Sequence, residues 1–106
     1  MSERLVQLLE LLDATPLDSF LLFATGKEYE KMEDLEQALD YYELLEKTNP
    51  DYVGLYYHLG KLLERMERSA DALAAYDRGM ATARKLQDQH SYNELSGARL
   101  NLEFES

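Results

Sequence analysis

Displaced by 34 residues, this chain lands on itself. Gly26/Gly60, Lys27/Lys61, Met32/Met66, Glu33/Glu67, Ala38/Ala72, Leu39/Leu73, Tyr42/Tyr76 and Pro16/Pro50 are identical pairs at that one offset, and Phe23/Tyr57 and Lys31/Arg65 are conservative ones. One offset carrying this many matches marks a repeated supersecondary unit. Periods of this size belong to arrays in which each unit buries its apolar face on the next.

The unit is helical. Five Gly and two Pro in 106 residues are too few for an all-β chain with many turns. Ser2 is a good cap for a first helix in which Leu5, Leu8, Leu9 and Leu12 recur at helical spacing. That helix should stop near Asp13, because Thr15 precedes Pro16 and is biased out of the α region. A second helix is expected from Asp18 or Ser19 to about Met32, and a third over 35–47 after a break at Glu33-Asp34. Thr48-Asn49-Pro50-Asp51 is the strongest punctuation in the chain and separates the repeats. A fourth helix should cover 52–66 and a fifth should start after Ser69 and run to Lys85 or Gln87. A last one is expected over 91–102, followed by a fraying tail, Glu103 to Ser106.

These residues carry a family resemblance. Leu22-x2-Thr25-Gly26-x2-Tyr29, then Ala38, Tyr42, Leu45 and Pro50, resembles the tetratricopeptide repeat signature, and Tyr56-x2-Leu59-Gly60-x2-Leu63, Ala72, Tyr76 and Gly79 is its second copy. Gly26 and Gly60 should let the first helix of each pair approach its neighbour, as Ala38 and Ala72 do from the second. Tyr29, Tyr42, Tyr56 and Tyr76 should fill the space between helices. Leu8, Leu11 and Pro16 fall one period before Tyr42, Leu45 and Pro50, so the first helix looks like the second half of a preceding repeat. Tyr92-x2-Leu95-Ser96 resembles the opening of a third repeat, displaced by two residues. The resemblance implies one all-α domain over 1–106, a short right-handed superhelical array of about two and a half repeats and about six helices. Its parts are a half-repeat helix (1–15), two repeats (16–49 and 50–83) and a helix extension with a capping helix (84–106). The sequence departs from the family at Glu33 and Glu67, where the inter-helix turn usually carries Gly. A left-handed residue there costs about 1 kcal/mol without Gly, so a differently shaped turn is expected.

The family binds peptides or protein segments on its concave face, and helical spacing selects candidates for that face here. Phe20, Phe23, Lys27 and Lys31 lie at i, i+3, i+7 and i+11, and Gly54, Tyr57, Lys61 and Arg65 repeat the arrangement with His58 alongside. The segment 34–46 holds Asp34, Glu36, Asp40, Glu43 and Glu46 and no basic residue. The expectation is an aromatic and basic groove on an acidic body, built from Phe20, Phe23, Lys27, Lys31, Tyr57, His58, Lys61 and Arg65. Its partner is a protein or peptide segment bearing carboxylates and an apolar anchor. The competing reading makes Lys27/Glu30 and Lys61/Glu64 solvated i,i+3 pairs worth tenths of a kcal/mol. Some family members grip a terminal carboxylate with Lys and Asn. Phe23, Ala24, Tyr57 and His58 stand near those positions and both clear repeats lack the Asn, so the chaperone-tail form of that clamp is not expected. The alternative function is self-association as a homodimer, through the first helix or through Tyr92, Leu95 and Phe104, because short arrays leave apolar end faces uncapped.

Composition excludes other classes. A formal charge of −10 lacks the basic footprint of nucleic-acid binding and disfavours anionic membranes. With no cysteine, disulfides and thiolate metal sites are impossible. His58 and His90, 32 residues apart, have no metal-ligand spacing. There is no phosphate-binding Gly-rich loop, no Gly-x-Ser-x-Gly and no thiol nucleophile. No enzymatic activity, cofactor or metal is expected. The apolar run in residues 1–15 is interrupted by Gln7 and Glu10 and lacks the basic start of a signal peptide, so it reads as an amphipathic helix, and no stretch is long enough to span a membrane. A cytoplasmic location is the expectation.

Overall fold

A computed structural model describes residues 2–105. Six α-helices follow one another: α1 (Glu3–Ala14), α2 (Ser19–Lys31), α3 (Leu35–Thr48), α4 (Gly54–Arg65), α5 (Ser69–Lys85) and α6 (Gln89–Glu105). The described residues contain no strand. The chain divides into two compact units, one up to Tyr52 with α1–α3 and one from Val53 with α4–α6.

Local chemistry accounts for most of the helix ends. Ser2 Oγ accepts from the Leu5 N–H at 3.0 Å, Asp18 Oδ1 from Leu21 at 2.9 Å, Asp34 Oδ1 from Gln37 at 3.3 Å and Asp88 Oδ1 from Ser91 at 3.0 Å. Each satisfies a first-turn amide that the helix leaves orphaned. Asp88 places the start of α6 at Gln89, two residues before the Ser91 expected from sequence, and the helix continues through Glu105 where a fraying tail was anticipated. Ser106 lies outside the described residues. Ser69 is the first residue of α5 rather than its cap; Arg68 holds the cap position and pairs instead with Asp71 at 2.8 Å. Tyr52 belongs to the turn after α3 rather than to α4. Its amide bonds the Asn49 carbonyl, and its ring leans on Phe23 with centroids 5.5 Å apart.

The turns between helices contradict one expectation. Glu33 and Glu67 both adopt the left-handed conformation, at φ 65° and 59°, and so does Gln87 at φ 59°. In each turn two bonds close the helix end: Asp34 N–H to Tyr29 O and Glu33 N–H to Glu30 O, with Arg68–Leu63 and Glu67–Glu64, then Asp88–Ala83 and Gln87–Arg84, as the counterparts. This is the glycine-type helix stop made without glycine. The paired backbone bonds hold the strained residue in place. Glu33→Gly and Glu67→Gly are therefore expected to raise stability by about 0.5–1 kcal/mol each, with the alanine variants giving no gain. Urea unfolding of both series checks this, and equal effects of Gly and Ala would contradict it.

Within each unit a glycine on one helix receives a tyrosine from the next. A methyl group placed on Gly26 would lie 2.5 Å from the Tyr42 ring, and one on Gly60 would overlap Tyr76 in the same way. Tyr42, Tyr56 and Tyr76 are fully buried, as are Ala38, Ala72, Leu45, Leu55 and Leu62. Tyr29 is only half-buried and stacks on Tyr41 at 5.6 Å instead of entering the core. Gly79 faces Tyr56 and Leu95 from the other side, where an added Cβ would meet Leu95 Cδ1 at 2.9 Å. The fit therefore extends to α6, which Arg99 also ties to α5 through Asp77 at 2.6 Å.

Leu5, Leu8 and Leu12 are buried, whereas Leu11, in the slot of the fully buried Leu45, is 55% exposed. Helix α1 packs chiefly on α2, so the face that carries Leu11 is left uncovered.

Two tyrosine hydroxyls end on carboxylates at equivalent positions. Tyr42 Oη donates to Glu30 Oε1 at 2.9 Å, and Tyr76 Oη donates to Glu64. Burial first, and then the adjacent carboxylate, pushes both phenols far above their ordinary range.

Candidate functional site

The sequence-selected residues fall on one face of α2 and on the equivalent face of α4. On α2 the Phe23 ring is half-buried, 6.1 Å from Tyr42 and 5.5 Å from Tyr52. Contact with these two rings restrains it. Lys27 stands over it with Nζ 5.7 Å from the ring centroid, a cation–π arrangement. Phe20, one turn earlier, is 62% exposed, and Lys31 is exposed in the last turn.

These four residues line a single cleft of about 340 Å³ together with Arg4, Ala24 and Glu28. Helix α1 does not cover Phe20. Instead α1 contributes Arg4 to the rim.

On α4 the same device recurs one period later. Lys61 Nζ lies 5.7 Å from the centroid of Tyr57, whose ring meets His58 edge-on at 5.6 Å. Lys61 also reaches Glu64 at 3.9 Å, the i,i+3 pair foreseen from sequence. Glu64, however, is chiefly the acceptor of Tyr76. Arg65 is exposed at the end of the helix. Each unit thus offers an aromatic ring capped by a lysine, followed one turn on by a second cation. On the α2 face, burial and then the Asp18 carboxylate raise the Tyr52 phenol above its ordinary range.

Sequence reasoning missed Arg4 and Glu28. Glu28 is 5% exposed and lies 3.9 Å from Arg4 Nε. The repeat offset contained a signal for it. Glu28 and Thr25 occupy the slots in which the second repeat places Leu62 and Leu59, both in the core. Polar side chains at two apolar slots mark where the first repeat differs from the second. The Thr25 hydroxyl is buried without a hydrogen-bond partner among the described residues. Of the three residues considered for self-association, Leu95 is buried inside the second unit and Tyr92 is held by Arg84, whose guanidinium donates to its hydroxyl at 2.9 Å. Phe104 is 82% exposed.

Among the described residues no group of three His, Asp or Glu side chains could hold a metal ion, and no helix is long and apolar enough to cross a membrane.

The fold and the sequence together match solved structures. A crystal structure of a tetratricopeptide repeat domain protein from Salinibacter ruber is 43% identical, covering 81% of this chain and 96% of that one with a TM-score of 0.77. A solution structure of a tetratricopeptide repeat domain protein from the same organism, also 43% identical, covers 83% and 89% with a TM-score of 0.80. The solution structure of a protein from Bordetella parapertussis, 28% identical, covers 99% and 91% with a TM-score of 0.85. No family model and no curated protein matches the sequence.

Proposed function

The chain belongs to the tetratricopeptide repeat family, a family of protein-interaction modules, and from that premise we propose that it is a non-catalytic scaffold binding an acidic protein or peptide segment on the aromatic and basic faces of α2 and α4. The observation that carries this reading is the repeated lysine-over-ring geometry, 5.7 Å in both units, beside an exposed Phe20. A lysine resting on an aromatic face is held in place at little further entropic cost when a carboxylate arrives.

The division of labour follows from magnitudes. An exposed ion pair contributes about 0–1 kcal/mol, so the lysines alone do not hold a partner. Burying an apolar side chain contributes about 1.5–3 kcal/mol, and Phe20 with Phe23 offers the surface for one. The apolar anchor supplies most of the affinity, and the cations select acidic sequences and set their register. The chain's net charge of −10 repels acidic partners at a distance, but beyond about 8 Å that repulsion is screened at physiological salt.

Lys27→Glu combined with Lys61→Glu tests this reading. Immobilised wild type and variant, matched for helical content, would be exposed to the same cell lysate at low and at moderate salt. A protein retained by wild type should be retained roughly tenfold less by the variant, from the loss of two attractions and the gain of two repulsions. Identical retention by both would place binding elsewhere on the chain.

A further inference from the structure

The end of α6 carries the chemistry that the first unit's cleft selects. Phe104 is the most exposed large hydrophobic residue described, at 82%, and Leu100, one turn earlier on the same stripe, is 53% exposed. Glu103 and Glu105 flank Phe104. Glu103 accepts from Arg99 along the helix, an exposed pair that leaves the carboxylate charged. The segment Glu103-Phe104-Glu105 is thus an aromatic anchor between two carboxylates, presented on a helix that Leu95, Ala98 and Leu102 pin to its unit.

The cleft between α1 and α2 has the opposite character. Arg4, Lys27 and Lys31 ring the phenylalanines, against one carboxylate, Glu28, which is buried and faces Arg4. On a chain with 21 acidic and 11 basic side chains this is a local excess of positive charge. At about 340 Å³ it falls in the size range of ligand-holding pockets, about 300–1,000 Å³.

We infer that the Glu103-Phe104-Glu105 end of α6 in one copy docks in the α1–α2 cleft of a second copy. Phe104 lies against Phe20 and Phe23, and the flanking carboxylates meet Lys27, Lys31 and Arg4. The inference rests on the proposed preference for acidic segments and names the segment. Donor and acceptor surfaces differ, so the contact is head-to-tail and adds copies without closing unless the rotation happens to form a ring. One anchor and a few rim pairs bury far less than the roughly 1,200 Å² of a stable interface, so association is micromolar or weaker.

Light scattering over a concentration series from about 10 μM to about 1 mM, at about 150 mM salt to screen the net charge, measures it. Wild type should rise above its 12.3 kDa monomer mass with concentration. Phe104→Ser, Lys27→Glu with Lys31→Glu, and Glu103→Lys with Glu105→Lys should each stay monomeric. An equimolar mixture of the last two should associate again, because the intact tail of the first meets the intact cleft of the second, and the acidic cleft of the first now matches the basic tail of the second. Global unfolding of either variant cannot produce that rescue. A constant 12.3 kDa mass for wild type, undiminished association of Phe104→Ser, or no rescue in the mixture overturns the inference. A labelled synthetic peptide of alternating Glu and Phe separates it from the reading it rests on. If the peptide binds a strictly monomeric wild type, the second copy is the wrong occupant and the acidic-segment preference stands. If the chain neither associates nor binds the peptide, both fall.

Discussion

Tyr76→Ala is expected to cost about 3–5 kcal/mol of unfolding free energy, and Tyr42→Ala a similar amount in the first unit. Both rings are fully buried, and each occupies a space that exists only because the facing residue, Gly60 or Gly26, has no side chain. Truncation leaves a cavity lined by a backbone that the rest of the helix holds in place, so little collapse can fill it. The carboxylate of Glu64 or Glu30 also loses its hydroxyl donor. Tyr76→Phe and Tyr42→Phe keep the ring and give up only that bond, for about 1 kcal/mol. Small domains have about 5–15 kcal/mol in total, so each alanine variant should sit near the edge of folding while each phenylalanine variant stays folded. Urea unfolding of the four variants reads this directly. Alanine variants no worse than the phenylalanine ones would mean that the ring is not what the glycine accommodates.

The same two tyrosines are expected to make the fold fail in alkali. Burial, reinforced by Glu30 or Glu64, raises both phenols well above the ordinary value of 10.0. In the unfolded chain they lose their protons near that value, whereas in the folded chain they keep them. Above it the unfolded state binds fewer protons, so stability falls as pH rises; below it both states are protonated and the contribution is fully present. Two such groups give a slope of about 2.7 kcal/mol per pH unit. Two units above pH 10 remove about 5 kcal/mol, the lower end of a small domain's stability, so a cooperative loss of helix is expected from about that pH upward. Tyrosinate absorbance and helical circular dichroism followed together should show the last of the eight tyrosines ionising only as the helix signal disappears. The Tyr42→Phe, Tyr76→Phe double variant should lose most of the slope. Complete ionisation near pH 10 with the helices intact would contradict the burial argument.

The helices were legible in the sequence from apolar spacing, caps and breakers, and the small and large partners of the glycine–tyrosine fit from the 34-residue offset, because both depend on residue type at fixed spacing. What it did not reveal depends on partners brought together by folding. Glu30 and Glu64 read as companions of lysines one turn away, but the hydroxyls that bond them come from tyrosines 12 residues on. The left-handed Glu33 and Glu67 run against residue preference, and only the paired backbone bonds around each turn explain why they are tolerated. Leu11 matched a core slot by offset, yet it is 55% exposed, because among the described residues α1 packs chiefly on α2 and not through that face. For the candidate site, that Phe20, Phe23, Lys27 and Lys31 share one face of α2 was readable from helical spacing. Arg4 lies outside both clear repeats and could not be placed beside Lys27 by any periodicity.

Backbone amide shifts of isotopically labelled wild type, titrated with the alternating Glu and Phe peptide at about 150 mM salt, test the central claim most directly. The account predicts saturable perturbations concentrated at Phe20, Phe23, Lys27 and Lys31 and at Tyr57, His58, Lys61 and Arg65, weakened about tenfold or more by Lys27→Glu with Lys61→Glu. Perturbations gathered instead on α3 or α5, or none at all at millimolar peptide, would contradict it.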